Sequence, residues 1–233
     1  MRMLLSSRPF RAVALMSAVC ASLVLHARAA HAQPARQASA VDDMADVPAR
    51  LAVREILESA TARGIPVEPL LTKVREGVAK SSTPERIHDA VRMLSGRLEA
   101  ARAALSPVYS TPELTAGAGA LQVGVPASSL KELRQLSPNA PLTVPLGVLT
   151  EIIADGVPVR PAATSIAKLV KSGATSELLI ALGARVRADV ASGMAPKTAL
   201  EQGSQRVLSL LAAPFSRAIV PASPPLRPMR PPR

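Results

Sequence analysis

Apolar residues recur every three or four positions along several stretches of this chain, which is the spacing of one face of an α-helix. Thr83 is a suitable N-cap for the clearest of these stretches, and Pro84 suits its first turn. The stripe then runs through six apolar residues: Ile87, Val91, Leu94, Leu98, Ala101 and Leu105. The pattern predicts a helix of about 22 residues that packs in a bundle, because the stripe is too short for a free coiled coil.

Other stretches with similar spacing predict further helices. They run from Pro48 to Gly64, from Glu68 to Lys80, from Ala127 to Leu136 and from Lys197 to Leu211. Aromatic residues make up only 1% of the chain, so the core must be built from Leu, Val, Ile and Ala. Because strands favour aromatic and β-branched residues, this composition predicts an all-α fold.

Two parts of the chain resemble each other. The phrase "GIPVEP" at Gly64 returns as "GVPVRP" at Gly156, and a shift of 92 positions aligns residues 57–98 with residues 149–190 without a gap. Apolar character is kept at the core-like positions, as for Val74 with Ile166 and Leu94 with Val186. The pattern predicts a duplicated three-helix unit, and the two units would form either one helical bundle or a short superhelical stack.

The repeated phrase is typical of a joint between two helices. Glycine can adopt the left-handed conformation that ends a helix, the next apolar residue packs back onto it, and proline prevents the helix from resuming. The phrase carries Glu68 in one copy and Arg160 in the other, which argues against a shared ligand-binding loop. We predict structural helix joints at Gly64 and Pro66, at Gly124 and Pro126, and at Gly156 and Pro158.

The N-terminal residues have the three parts of a secretory signal peptide. These are a basic start at residues 2–11, an apolar run at residues 12–25, and an A-x-A cleavage pattern at residues 30–32. The apolar run is shorter than the roughly 20 residues that a membrane-spanning helix needs. We therefore expect an exported protein, periplasmic or extracellular, with no membrane span in the mature chain. Cleavage would remove Cys20, the only cysteine, so no disulfide or thiol chemistry is expected.

The remaining chain divides by composition. Gly117 and Gly119 each lower helix propensity by about 1 kcal/mol, so the segment that contains them has the weakest predicted structure. The predicted order is a signal peptide (1–32), a flexible lead-in (33–46), a first helical unit (47–105), linking helices and loops (106–143), a second helical unit (144–212) and a disordered Pro- and Arg-rich tail (213–233).

Sequence motifs for catalysis are weak. Glu85 and His88 match the Glu-x-x-His spacing of di-iron bundle proteins, but such a site needs a second copy of the motif. The other histidines, His26 and His31, lie in the predicted signal peptide, and Ile180 replaces His88 in the second unit. No nucleophile elbow or phosphate-binding glycine loop occurs. The sequence therefore predicts neither an enzyme nor a cofactor or metal site.

The tail is the best candidate for direct contact with a partner. Its prolines favour an extended chain. Its arginines could pair with phosphates or carboxylates of envelope polymers, and they are Arg217, Arg227, Arg230 and Arg233. We expect no nucleic-acid binding, because the protein is predicted to be exported and aromatic stacking residues do not accompany these charges.

These observations favour an exported, non-catalytic interaction or scaffold protein. Its partner would be an unknown protein or an envelope component, and the sequence leaves a homo-oligomer open. One alternative is a protein tethered to envelope polyanions by its basic tail. The other is a carboxylate-dependent hydrolase of wall polymers, which would need an acid-lined cleft.

Overall fold

The helical character of the chain is confirmed by its structure. The computed structural model describes residues 41–44 and 46–212, and every regular element in these residues is a helix, with no strand. The full helices, in chain order, are α1 (Val47–Ala62), α2 (Glu68–Ala79), α3 (Pro84–Leu105), α4 (Thr111–Gln122), α5 (Ala127–Leu136), α6 (Thr143–Ala154), α7 (Val159–Lys171), α8 (Ser176–Ala191) and α9 (Pro196–Ala212).

Contacts divide the chain into two compact units, and the division falls between Gly96 and Arg97, inside α3. Unit 1 contains α1, α2 and the first part of α3, and unit 2 contains the rest of α3 and the helices that follow. The predicted apolar stripe of α3 is buried at five of its six positions: Ile87, Val91, Leu98, Ala101 and Leu105. Leu94 is half-buried, and the neighbouring Ser95 is buried instead.

Residues 41–44, the described start of the chain, carry two buried side chains. Val41 and Met44 are almost fully buried, with 1% and 3% of their surface exposed. Arg54 Nη2 also donates to Asp42 Oδ1 at 2.6 Å. Two apolar side chains separated by two acidic residues are too short a pattern for periodicity to reveal, yet their burial is enough to pack this segment within unit 1.

The segment between the two predicted units, residues 106–143, forms two helices that pack within unit 2. Helix α4 packs against α6, and α5 packs against α7. Helix α6 also contacts α7 and α8, while α9 covers α8 and α7. Helices α4 and α5 therefore share the core of unit 2, and their burial offsets the low helix propensity of this glycine-containing segment.

Five helix ends close through a glycine in the left-handed region. Gly64, Gly124, Gly156, Gly173 and Gly193 have φ between 68° and 96°. At each end the next amide donates to a carbonyl five residues earlier, as in Ile65 N to Ala60 O at 2.9 Å and Val157 N to Ile152 O at 3.0 Å. This bond defines the Schellman motif, and the buried side chains of Ile65 and Val157 accompany it. Pro126 and Pro158 directly precede α5 and α7, while Pro66 lies two residues before α2.

A sixth helix end has the same bond without glycine. Ser82 N donates to Gly77 O at 2.9 Å, and Ser81 is the one non-glycine residue with positive φ, 50°, in the described part of the chain. The left-handed region costs an L-residue roughly 1–2 kcal/mol. Ser81 therefore destabilises a turn whose hydrogen bonds are otherwise complete.

Ser81→Gly is expected to raise the free energy of unfolding by about 1 kcal/mol. Relief of the left-handed strain exceeds the extra entropy that glycine brings to the unfolded chain. The measurement is urea denaturation with native-state amide exchange in α2. Ser82→Gly is the matched control and should lose a few tenths of a kcal/mol, because Ser82 does not have positive φ. Equal effects of the two substitutions would contradict the prediction.

Candidate functional site

A cleft of about 230 Å³ lies between α2 and α3 in unit 1. Its lining combines cationic side chains with small residues on the facing helices. The lining residues are Lys73, Glu76, Gly77, Lys80, Ser82, Arg86, Ile87 and Ala90. We refer to this surface as the cationic cleft.

Two lysines of the cationic cleft converge on one carboxylate. Lys73 Nζ donates to Glu76 Oε2 at 2.5 Å, and Lys80 Nζ donates to Glu76 Oε1 at 2.6 Å. The hydrogen bonds from Lys73 and Lys80, and then their positive charges, lower the pKa of Glu76 to about 2. Arg86 is exposed, and no carboxylate in the described residues forms an ion pair with it. Three cations therefore face a single anion.

Gly77 and Ala90 are the small residues that line the cleft. A Cβ atom at Gly77 would lie 2.6 Å from Ile87 Cγ1, so α2 and α3 approach each other closely there. A shift of 92 positions places Leu169 and Leu182 where Gly77 and Ala90 stand, and both leucines are buried in unit 2.

A second polar cluster is buried in unit 2 and was not predicted from the sequence. Arg134 Nη2 donates to Glu113 Oε1 at 2.6 Å, and each side chain is less than one-tenth exposed. Leu142 N donates to the same carboxylate oxygen at 2.8 Å. The amide of Ser110 donates to the other oxygen, Oε2, at 2.8 Å and completes a capping box at the start of α4.

The guanidinium of Arg134 also holds the loop that follows α5. Its Nη1 donates to three backbone carbonyls, those of Ser137 at 3.2 Å, Pro138 at 3.3 Å and Ala140 at 3.1 Å. Only Nε lacks a partner in its buried position. Together with the bond from Leu142 to Glu113, this network fixes residues 137–142 between α5 and α6.

Glu113 is suited to this structural role and not to proton transfer. Burial pushes the pKa of Glu113 upward, but hydrogen bonds from Leu142, Arg134 and Ser110 outweigh burial and lower that pKa below its ordinary value. A general acid or base near neutral pH needs the opposite shift. The described geometry keeps Glu113 ionised and fully engaged.

No protein family, curated protein or solved structure matches this chain.

The Glu-x-x-His motif lies on the first turns of α3. His88 is half-buried, and its Nδ1 lies 3.4 Å from Asp89 Oδ1, while Glu85 is exposed. Within residues 41–44 and 46–212, no group of three or more His, Cys, Asp or Glu side chains is arranged to hold a metal ion. Among the described residues, His88 therefore has Asp89 as a neighbouring acid and does not belong to a set of metal ligands.

The four tail arginines, Arg217, Arg227, Arg230 and Arg233, lie outside the described residues, as does the predicted signal peptide. Within the described part, each helix is too short or too polar to cross a membrane. From sequence alone, the i,i+4 spacing of Glu76 and Lys80 predicts only a surface ion pair. Lys73 lies one helical turn before Glu76 on α2, whereas Arg86 lies on α3, beyond the loop that joins the two helices. The convergence of these cations on one cleft therefore depends on how α2 packs against α3.

Proposed function

We propose that this chain is an exported, non-catalytic interaction or scaffold protein of the cell envelope or the extracellular space. The main support comes from the carboxylates whose pKa values are clearly shifted. The three carboxylates with clearly shifted pKa values, Glu76, Glu113 and Glu177, all have lowered pKa values. Glu76 pairs with two lysines, Glu113 with Arg134 and backbone amides, and Glu177 with the Thr175 cap, so each of these charges stabilises an ion pair or a helix end.

The hydrolase alternative has little support from the described cleft. An enzyme acting on wall polymers would place two carboxylates on either side of the scissile bond. The cationic cleft offers Glu76 alone, and that carboxylate is engaged by two lysines. Its charge and its geometry are those of a surface that attracts anions.

The architecture we propose for this role is a duplicated three-helix unit, formed once by α1–α3 and again by α6–α8. Equivalent positions are buried in both copies, as for Val74 and Ile166. Equivalent turns also have positive φ in both copies, as for Ser81 and Gly173. These pairs lie 92 positions apart, which supports duplication because a left-handed residue is rare by chance outside glycine.

Exposed apolar side chains offer positions at which contact with a partner can be tested. On α1, Val47 and Leu51 are 51% and 57% exposed and lie one helical turn apart. A photo-crosslinking amino acid at Leu51 is expected to give a discrete adduct in native envelope preparations. The same amino acid at Glu58, which is exposed and charged, is the control. Absence of adducts at Leu51, or identical products at both positions, would contradict the interaction role.

The composition of residues 213–233 favours a second candidate function, tethering to envelope polyanions. This segment contains seven prolines, four arginines and no acidic residue. Deleting residues 213–233 should then abolish salt-sensitive retention of the protein on envelope preparations. Retention would depend on attraction between the tail arginines and anionic polymers, and salt screens this attraction. Unchanged retention after this deletion would reject the tether.

A further inference from the structure

We propose that the cationic cleft, formed by Lys73, Lys80 and Arg86, is a binding site for a phosphate group. The site requires neither the tail nor a protein partner, so it goes beyond the function proposed above. Its support comes from the placement of charge, from the size of the cleft and from the contrast between the two units.

The charges of the cleft are already gathered at one point. Both ammonium groups lie within 2.6 Å of the Glu76 carboxylate, so their side chains are held at the cleft in the absence of a ligand. Arg86 adds a guanidinium that has no ion pair among the described residues. Two ammonium groups and one planar guanidinium suit the several oxygens of a phosphate. Lysine binds phosphate as a point charge, and arginine can donate two parallel hydrogen bonds to it.

The size of the cleft suits a head group and not a large molecule. Its volume of about 230 Å³ is below the roughly 300–1,000 Å³ of sites for drug-sized ligands. Gly77, Ala90 and the buried Ile87 also line the cleft, so an apolar surface lies beside the cations. Ser82 adds a hydroxyl at the rim that can donate to a phosphate oxygen.

The same region in unit 2 lacks this combination. A shift of 92 positions replaces Lys73 by Ser165, Lys80 by Ser172 and Arg86 by Leu178. The same shift replaces Gly77 by the buried Leu169. Both aligned segments keep the left-handed residue, Ser81 in one and Gly173 in the other. The helix end therefore forms without the three cations, and the cations occur only in the cleft between α2 and α3.

Glu76 sets the affinity of the site. Its carboxylate positions the two lysines, but it also places one negative charge beside the incoming phosphate. Like charges in contact at a solvated surface disfavour binding. Removing the charge while keeping the shape, as in Glu76→Gln, should therefore strengthen phosphate binding, whereas a site without phosphate affinity would not respond in this direction.

The test is a titration of the full chain with inorganic pyrophosphate, followed by amide chemical shifts at constant ionic strength. We expect saturable shifts confined to residues 73–90. Arg86→Gln should weaken binding about tenfold, because it removes a charge-assisted pair of hydrogen bonds. Glu76→Gln should strengthen binding about threefold. Both side chains are solvent-accessible, and circular dichroism checks that the variants keep the native helix content.

Arg50→Gln is the matched control, since it removes one charge from α1 in the same unit and does not line the cleft. Equal weakening by Arg50→Gln and Arg86→Gln would overturn the proposal in favour of general attraction. A second arm measures flotation with phosphatidylglycerol vesicles against phosphatidylcholine vesicles. Binding to pyrophosphate alone assigns the site to soluble phosphates, and Arg86-dependent binding to phosphatidylglycerol alone assigns it to lipid head groups. No response in either arm rejects the site but leaves the crosslinking and deletion experiments unaffected.

Discussion

Glu113→Ala is expected to lower the free energy of unfolding of unit 2 by about 3–5 kcal/mol, the usual cost of breaking a buried ion pair. The substitution leaves the buried Arg134 without its counter-charge. It also removes the acceptor for Leu142 N and one half of the capping box with Ser110. The loss is large because these groups are shielded from water, which could otherwise replace the missing partner.

The single tyrosine of the chain gives a local measurement of this effect. Tyr109 immediately precedes the N-cap of α4, its hydroxyl lies 2.8 Å from Arg102 Nε, and the chain contains no tryptophan. Urea denaturation followed by tyrosine emission therefore reports unit 2. Glu201→Ala is the matched control, because Glu201 pairs with Lys197 on the exposed face of α9, and a change within about 0.5 kcal/mol is expected. Similar losses of unfolding free energy for both variants would show that the buried ion pair stabilises the fold no more than the exposed one.

The pH dependence of stability provides a second readout of the same carboxylate. The pKa of Glu113 is lowered from its ordinary value of 4.5 in the folded protein. The folded state therefore binds this proton less readily than the unfolded state, and stability falls as the pH drops below about 4.5. Glu113→Gln removes this part of the pH dependence. An unchanged acid-unfolding profile would contradict the ionised, hydrogen-bonded state of Glu113.

Two glycines of α4 should respond to alanine with opposite signs. A Cβ at Gly117 would lie 3.1 Å from Ala101 Cβ, 3.2 Å from Leu105 Cδ1 and 3.3 Å from Leu130 Cδ2. A Cβ at Gly119 would meet no atom within 4 Å. Gly119→Ala should therefore stabilise unit 2 by up to about 1 kcal/mol through helix propensity alone. Gly117→Ala should destabilise it by about 1 kcal/mol, because overpacking exceeds the gain in propensity.

Gly117→Val extends this comparison and should raise the loss to about 3 kcal/mol, since two further methyl groups enter the same contact. Tyrosine emission in urea again follows unit 2. Stabilisation by Gly117→Ala comparable with that of Gly119→Ala would mean that α3 and α5 can move apart at no cost. In that case, Gly117 would not be the point at which α4 is held against its neighbours.

Local signals in the sequence predicted several helices and the left-handed helix ends at Gly64, Gly124 and Gly156. The apolar stripe after Pro84 predicts the observed extent of α3, and the all-α fold is confirmed in the described residues. Local signals failed where a residue acts through distant neighbours. The two glycines of α4 look equally unfavourable in sequence, yet only Gly117 is enclosed by side chains, and those come from α3 and α5.

The polar clusters show the same division. Ser110 and Glu113 have the Ser-x-x-Glu spacing of a capping box, so the cap could have been predicted. The pairing of Glu113 with Arg134 could not have been predicted from local signals, because the two residues are 21 positions apart in the sequence and the fold brings them together. The cationic cleft likewise depends on Gly77, whose lack of a side chain allows α2 to approach α3.

The helix joints also determine how this molecule can change during evolution. The joints at Gly64, Gly124 and Gly156 each combine a left-handed glycine with a buried successor, and the charges beside them vary, as Glu68 and Arg160 do. The interval from Gly64 to Ser81 equals the interval from Gly156 to Gly173. A descendant chain could therefore replace nearly all its surface residues and keep its helix ends. The spacing of the left-handed positions would then be kept after most residue identities had changed.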